Sequence, residues 1–169
     1  GMNRSFTAED WAGVIPKKFW YDAIDEANDL VNTEIKTDIQ GYDADGSVLK
    51  IARKNAEEAG VGRLIHFQER TVAELSHPKK YGFIITNPPY GERLEDKKNL
   101  PQLYRTLGER FCRLDAWSAY VITSYEDTEK CFGRKADKNR KIYNGMLKTY
   151  YYQFLGPKPP KKQKEKDNG

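Results

Sequence analysis

The sequence predicts an α/β domain built on a mostly parallel sheet, with an antiparallel hairpin near its carboxyl end. Three observations predict it. Segments whose apolar residues recur at helical spacing alternate with short apolar runs of strand length, the order that produces parallel pairing through crossover helices. One such run, Gly82-Phe83-Ile84-Ile85-Thr86, stops abruptly at Asn87-Pro88-Pro89-Tyr90. Two late strand-like segments flank Asn144-Gly145, a dipeptide that favours a tight hairpin turn.

Taken in order, the elements read as follows. Pro16 suits an early helix position, and Phe19, Trp20, Ala23, Ile24, Ala27, Leu30 and Val31 repeat at helical spacing. Residues 35–42 read as a strand ending at Asp43. Residues 47–59 read as a helix that buries Val48, Leu49, Ile51, Ala52 and Ala56 and stops at Gly60. Residues 64–69 form a short strand, and residues 83–86 form the strand before the proline pair, expected to be buried. Residues 100–114 read as a helix presenting Leu103, Leu107 and Phe111. An apolar strand follows over 116–123, then a short helix over 125–132. The hairpin spans 140–143 and 147–155.

Composition narrows the class. A chain of 169 residues suffices for one domain with a sizeable core. Hydrophobic residues make up 38% and charged residues 32%, with no apolar stretch long enough to span a membrane. No signal-peptide pattern is visible at the start, so a cytoplasmic location is expected. Cys112 and Cys131 fit no metal or redox spacing and read as two reduced thiols, and no metal site is expected. His66 and His77 read as structural or exposed, and Trp11, Trp20 and Trp117 as core or interface residues. The net charge of +4 permits a nucleic-acid partner without requiring one.

After Leu155 the sequence changes character. Gly156-Pro157-Lys158-Pro159-Pro160 opens a lysine-rich run without apolar residues, which cannot bury enough surface to fold. The expected organisation is a folded domain over 1–155 and a disordered basic tail over 156–169. Lys158, Lys161, Lys162, Lys164 and Lys166 can touch RNA phosphates, although a solvated tail without a partner is the simpler reading.

The chemistry centres on residues 87–90. The proline pair forces the chain out of the sheet in a stiff loop, at the end of the strand where open α/β sheets place their sites. Prolines lack N–H groups, so this stretch offers mainly acceptors. The Asn87 side-chain oxygen and the Pro88 carbonyl can accept both hydrogens of an exocyclic amine. The Tyr90 ring can stack on the flat group that carries it. Held this way, the nitrogen lone pair is aimed at an electrophile. Asp43 forms a second constellation. An acid at the end of a strand, just before a helix, can accept hydrogen bonds from ribose hydroxyls; equally, Asp43 or Asp45 can cap that helix.

Asn-Pro-Pro-Tyr after an apolar strand resembles the signature of class I S-adenosylmethionine-dependent methyltransferases that modify amino groups: adenine N6, guanine N2 or glutamine side chains. Three strings narrow the likeness: Thr86-Asn-Pro-Pro-Tyr-Gly-Glu-Arg-Leu94, Gly1-Met-Asn-Arg-Ser-Phe6 with Trp11 following, and Arg140-Lys-Ile-Tyr-Asn-Gly145. Together they resemble the bacterial THUMP-domain methyltransferases of 23S ribosomal RNA, which make N2-methylguanosine and of which many carry the label "N6-adenine-specific DNA methylase". The likeness runs from residue 1 to about residue 155.

The resemblance implies a Rossmann-like fold, S-adenosylmethionine as cofactor and ribosomal RNA as substrate. It places Asn87, Pro88, Pro89 and Tyr90 at the target amine, with Asn87 also among the residues that contact the cofactor. Asp43 would hold the cofactor ribose, with Ala44 beside the adenine, and Asp45 would cap the following helix. Thr71 falls where related enzymes carry an acid for the adenine amino group, with Glu69 and Glu74 as alternatives. The family's opening strand and glycine-rich loop have no counterpart here, nor does the RNA-binding THUMP domain that precedes them. The chain therefore reads as a C-terminal portion of a longer enzyme, inactive alone. The missing strand would be the central one and would leave two strand edges unpaired. The isolated chain is accordingly expected to be unstable, rearranged or completed by another polypeptide. The remaining readings are a methyltransferase of DNA adenine or protein glutamine, and a non-catalytic remnant that binds RNA or a partner.

Overall fold

The computed structural model describes residues 5–32, 34–91 and 94–160, arranged as two compact units, Gly1–Glu69 and Arg70–Gly169. Gly1 to Arg4, Glu92, Arg93 and the tail lysines 161, 162, 164 and 166 lie outside the described residues.

The first unit holds helix α1 (Lys17–Asp29), strand β1 (Ile39–Asp43), helix α2 (Gly46–Glu58) and strand β2 (Ile65–Glu69). β1 and β2 pair in parallel, from Ile39 opposite Ile65 to Asp43 opposite Glu69. β1 begins at Ile39 rather than Ile35 because its partner begins only at Ile65. Before that point Thr37 donates its hydroxyl to the Leu64 carbonyl at 2.9 Å. Gly41 sits under the Phe67 ring, where a Cβ would lie 2.6 Å from Cδ1. α2 follows an Asp45 cap and is tied to β2 by the Arg53 guanidinium, which donates to the Phe67 carbonyl at 2.7 Å. α2 buries only Leu49 and Ala56, and Val48 and Ile51 are 44% and 61% exposed. A two-stranded sheet covers a single narrow stripe of a helix, so the outer members of the apolar set stay in solvent. α1 has the expected period but buries none of its residues; Trp20 stacks on Phe6 with centroids 5.9 Å apart, and Trp11 is exposed.

The second unit carries strand β3 (Phe83–Thr86), helix α3 (Leu94–Cys112), strand β4 (Ser118–Thr123), helix α4 (Thr128–Phe132) and strands β5 (Lys138–Asn144) and β6 (Leu147–Phe154). The sheet order is β3-β4-β6-β5. β3 and β4 run parallel, from Phe83 opposite Ser118 to Thr86 opposite Val121; β6 is antiparallel to both β4 and β5. The hairpin closes through Gly145 at φ 61°, a left-handed conformation that favours glycine. α3 starts at Leu94 and runs through Pro101, which forgoes one helical hydrogen bond without ending the helix.

The core lies between one face of this sheet and the two helices. Leu100, Tyr104, Leu107 and Phe111 of α3 and Phe132 of α4 pack with Ala119, Val121, Tyr152 and Phe154. Gly108 lets α3 and α4 touch, because a Cβ there would lie 2.7 Å from the Phe132 Cα. On the other face Phe83 and Ile85 are 67% and 82% exposed, so β3 alternates rather than being buried throughout. Among the described residues β1 pairs only with β2, and β3 only with β4, which leaves each with one edge lacking a partner strand. No helix among the described residues is long and apolar enough to cross a membrane.

Candidate active site

β3 delivers the chain to Asn87 at the carboxyl end of the parallel pair. From there the loop alternates in exposure: Asn87 and Pro89 are exposed, Pro88 and Gly91 buried, and Tyr90 half-buried. The reversal at Gly91 uses φ 80°, a conformation that a side chain would strain. The Tyr90 hydroxyl donates to the Asn87 side-chain oxygen. Asn87 is thus oriented by the aromatic residue of its own loop, and its oxygen keeps a second lone pair for an incoming N–H.

Beneath the loop lies a chain of hydroxyls. Tyr104 of α3 and Thr123, the last residue of β4, are fully buried, and their hydroxyl oxygens are 2.5 Å apart. The Tyr104 hydroxyl also reaches the Pro89 carbonyl at 3.1 Å. The Tyr125 N–H donates to the Thr123 hydroxyl oxygen at 3.0 Å, and the Tyr125 ring lies against that of Tyr104 with centroids 4.7 Å apart. Burial pushes the Tyr104 hydroxyl well above its usual pKa, against the opposing pull of the Thr123 bond, so it stays a protonated donor. The sequence reading missed Tyr104, Thr123 and Tyr125. Tyr104 occupies a core position of an apolar helical repeat, and the one available signal was a hydroxyl in a stripe otherwise made of leucine and phenylalanine.

The predicted cofactor residues divide between the units. Asp43 and Ala44 lie in the first unit, while Thr71 and Asn87 lie in the second, with the rest of the amine loop. Asp43 is half-buried at the carboxyl end of β1, and its Oδ1 accepts the Asp45 N–H at 2.8 Å; Ala44 is exposed. A carboxylate fixed by one oxygen at such a position suits a ribose diol. Asp45 is the helix cap: its carboxylate accepts the Ser47 N–H at 2.8 Å and hydroxyl at 2.6 Å, which holds its pKa below the usual range. Glu69 lies against the start of α2, where a Cβ on Gly46 would meet its carboxylate at 2.5 Å.

Thr71 donates both its N–H and its hydroxyl to one oxygen of Glu74, each at 2.8 Å, and these bonds hold the Glu74 carboxyl below the usual range. The Thr71 oxygen can therefore only accept from a further partner. His77 packs on Trp117 with centroids 5.1 Å apart, and its Nδ1 accepts the Lys79 N–H. His66 lines a shallow hollow with Arg53, Glu57 and Phe67 that includes none of the predicted site residues. Cys112 and Cys131 are free thiols, and no group of three or more His, Cys, Asp or Glu among the described residues is placed to hold a metal.

Comparison with known proteins identifies the family. A family profile described as "RMKL-like, methyltransferase domain" matches residues 5–153. YpsC of Bacillus subtilis, which carries a provisional RNA-methyltransferase name, is 43% identical over 97% of this chain and 42% of its own length. Ribosomal RNA large subunit methyltransferase K/L of Shewanella woodyi is 38% identical over 79% of this chain and 19% of its own. The chain thus spans well under half the length of these curated relatives. Among solved structures, a possible methylase from Clostridium difficile 630 superposes with a TM-score of 0.84 at 52% identity, covering 95% of this chain and 42% of that one. A provisionally named methyltransferase complexed with SAH superposes at 0.83 and 41% identity, with the same coverage. The profile spans both units and the whole loop from β3 to Gly91, so the chain belongs to the RMKL-like methyltransferase domain family.

Proposed function

We propose that the protein containing this chain is an S-adenosylmethionine-dependent RNA methyltransferase that acts on an exocyclic amine, guanine N2 of 23S ribosomal RNA. The single observation that carries the reading is the Asn87 to Tyr90 loop at the carboxyl end of β3, with Asn87 exposed, Pro88 buried beside it and the Pro89 carbonyl held from below by Tyr104. Membership of a methyltransferase family, an SAH-bound structural relative and a relative named for ribosomal RNA support it.

On this reading Asp43 accepts from the cofactor ribose, Ala44 lies beside the adenine, and Thr71, backed by Glu74, accepts from the adenine amine. S-adenosylmethionine supplies a methyl group made electrophilic by its sulfonium. Asn87 and the Pro88 carbonyl hold the two hydrogens of the target amine, so the lone pair points away from them. Tyr90 covers the face of the flipped base. As the nitrogen–methyl bond would form, the carbon–sulfur bond of the cofactor would break and S-adenosylhomocysteine would leave. The nitrogen, made acidic by its fourth bond, would lose a proton to solvent by way of an accepting oxygen, so no strong base is required among these residues. The chain contributes positioning and exclusion of water. The methionine end of the cofactor is held by a glycine-rich segment upstream in the parent protein, and an upstream THUMP domain binds the RNA.

Two measurements test this. Calorimetric titration of S-adenosylmethionine compares the chain with the full-length parent, and binding by the parent alone supports a divided cofactor site. Mass spectrometry of ribosomal RNA nucleosides from a deletion strain then identifies the target. Loss of one methylguanosine supports the proposal, whereas intact ribosomal RNA with lost DNA methyladenine or protein methylglutamine overturns it.

A further inference from the structure

The proline pair creates a mechanical problem. A loop meant to hold an amine must itself be held, yet Pro88 and Pro89 offer no N–H by which the scaffold can grip them. The upstream end is fixed by β3 through Thr86 opposite Val121. The prolines themselves have only carbonyls to offer, and the Tyr104 hydroxyl reaches one of them, that of Pro89, at 3.1 Å.

Counting protons sets the direction of the chain beneath. Tyr104 has one hydroxyl proton. If it goes to Pro89, the 2.5 Å contact with Thr123 requires the Thr123 hydroxyl to donate to the Tyr104 oxygen. The Thr123 oxygen is then left to accept, and the Tyr125 N–H supplies that bond at 3.0 Å. Every group is satisfied in one order: Tyr125 N–H to Thr123, Thr123 to Tyr104, Tyr104 to the Pro89 carbonyl. Bonds aligned head to tail polarise one another. The raised pKa of Tyr104 keeps its proton in place. The Pro89 carbonyl shares a rigid peptide plane with the Tyr90 N–H, so fixing one fixes the other. The planes on both sides of Asn87 and Pro88 are thereby anchored, and Pro88 keeps its own carbonyl for the target.

We propose that Tyr104, oriented by Thr123, is a positioning residue that sets the amine-accepting geometry of Asn87 and Pro88 through the Pro89 carbonyl. This rests on the reading that the loop receives an amine. The test uses the full-length parent protein carrying Tyr104→Phe, Thr123→Val or Thr123→Ser. Tyr104→Phe and Thr123→Val should lower kcat about tenfold with KM for S-adenosylmethionine changed less than about twofold, the signature of lost alignment rather than lost binding. Thr123→Ser keeps the hydroxyl and should restore kcat. Wild-type kcat in Tyr104→Phe, or equal losses in the valine and serine variants, overturns the proposal. A readout independent of activity separates this from failure of the methyltransferase reading. The Tyr90 amide should exchange with solvent about tenfold faster in Tyr104→Phe than in wild type. Unchanged exchange overturns the positioning role even if the protein is inactive, and faster exchange in Tyr104→Phe, with the wild type inactive on RNA, leaves the role standing while sinking the reaction. If Tyr104→Phe fails to fold, the valine and serine pair at Thr123 decides.

Discussion

Asn87 is the residue on which the proposed chemistry depends most directly. Its side-chain oxygen is exposed, and the Tyr90 hydroxyl donates to it. In the full-length protein, Asn87→Ala removes an acceptor for the target amine but nothing assigned to the cofactor ribose. We expect kcat to fall about 10²-fold, the scale for losing one preorganised hydrogen-bonding group, with S-adenosylmethionine affinity nearly unchanged by calorimetry. Retained turnover in that variant removes Asn87 from the site. Legibility at this scale was uneven. The loop could be read from the sequence because two prolines and an asparagine after an apolar strand leave few conformations. The hydroxyl chain could not, because Tyr104 and Thr123 are 19 residues apart and each, taken alone, is an ordinary core residue.

At the scale of the element, two junctions bear the strain of small changes. The Asp45 cap satisfies the Ser47 N–H at the start of α2. Asp45→Ala should lower the melting temperature by a few degrees at neutral pH. Because the Ser47 bonds depress the Asp45 pKa, its stabilisation is present above the ordinary carboxylate range and disappears as pH falls through the depressed value. The difference between wild type and variant, followed by thermal melts across pH, should therefore shrink in acid; a difference that grew instead would contradict this cap. Gly108 is the other junction. With only 2.7 Å between a new Cβ and the Phe132 backbone, Gly108→Ala must push α4 off α3, at about 1–3 kcal/mol by denaturant unfolding. A neutral result would show that the helices separate freely. The types and order of elements were legible from apolar spacing. Their ends were not, because a strand stops where its neighbour stops, as β1 does at Ile39, and a helix can tolerate a proline, as α3 does at Pro101.

At the scale of the whole molecule, the two units are unequal in core. Among the described residues Leu49 and Ala56 are the buried apolar residues of the first, whereas the second buries Leu100, Tyr104, Leu107, Phe111, Leu114 and others. Local opening is governed by buried apolar contact, so the chain should not unfold as one cooperative body. Amides of β1 and β2 should exchange at least about 10²-fold faster than those of β4 and β6. Equal protection across both pairs would mean that the units stabilise each other. The unpaired strand edges expected from the sequence are matched among the described residues by β1, which pairs only with β2, and β3, which pairs only with β4. Phe83 and Ile85 on β3 are more than half exposed because the face of the second sheet opposite its core carries no helix over them among the described residues. The exposed side of α2 was not legible, because periodicity shows which residues share a face but not how wide a surface is present to cover it.

The absence of N–H groups across Pro88 and Pro89 also bears on what happens after the reaction. A pocket of acceptors counts hydrogens. On the proposed reading a primary amine brings two, one for Asn87 and one for the Pro88 carbonyl. A monomethylated amine brings only one, so the product sits with an acceptor unanswered and a methyl group where a hydrogen lay. If the loop holds the substrate as proposed, it loosens its hold once a single transfer is done and favours release over a second round on the same nitrogen.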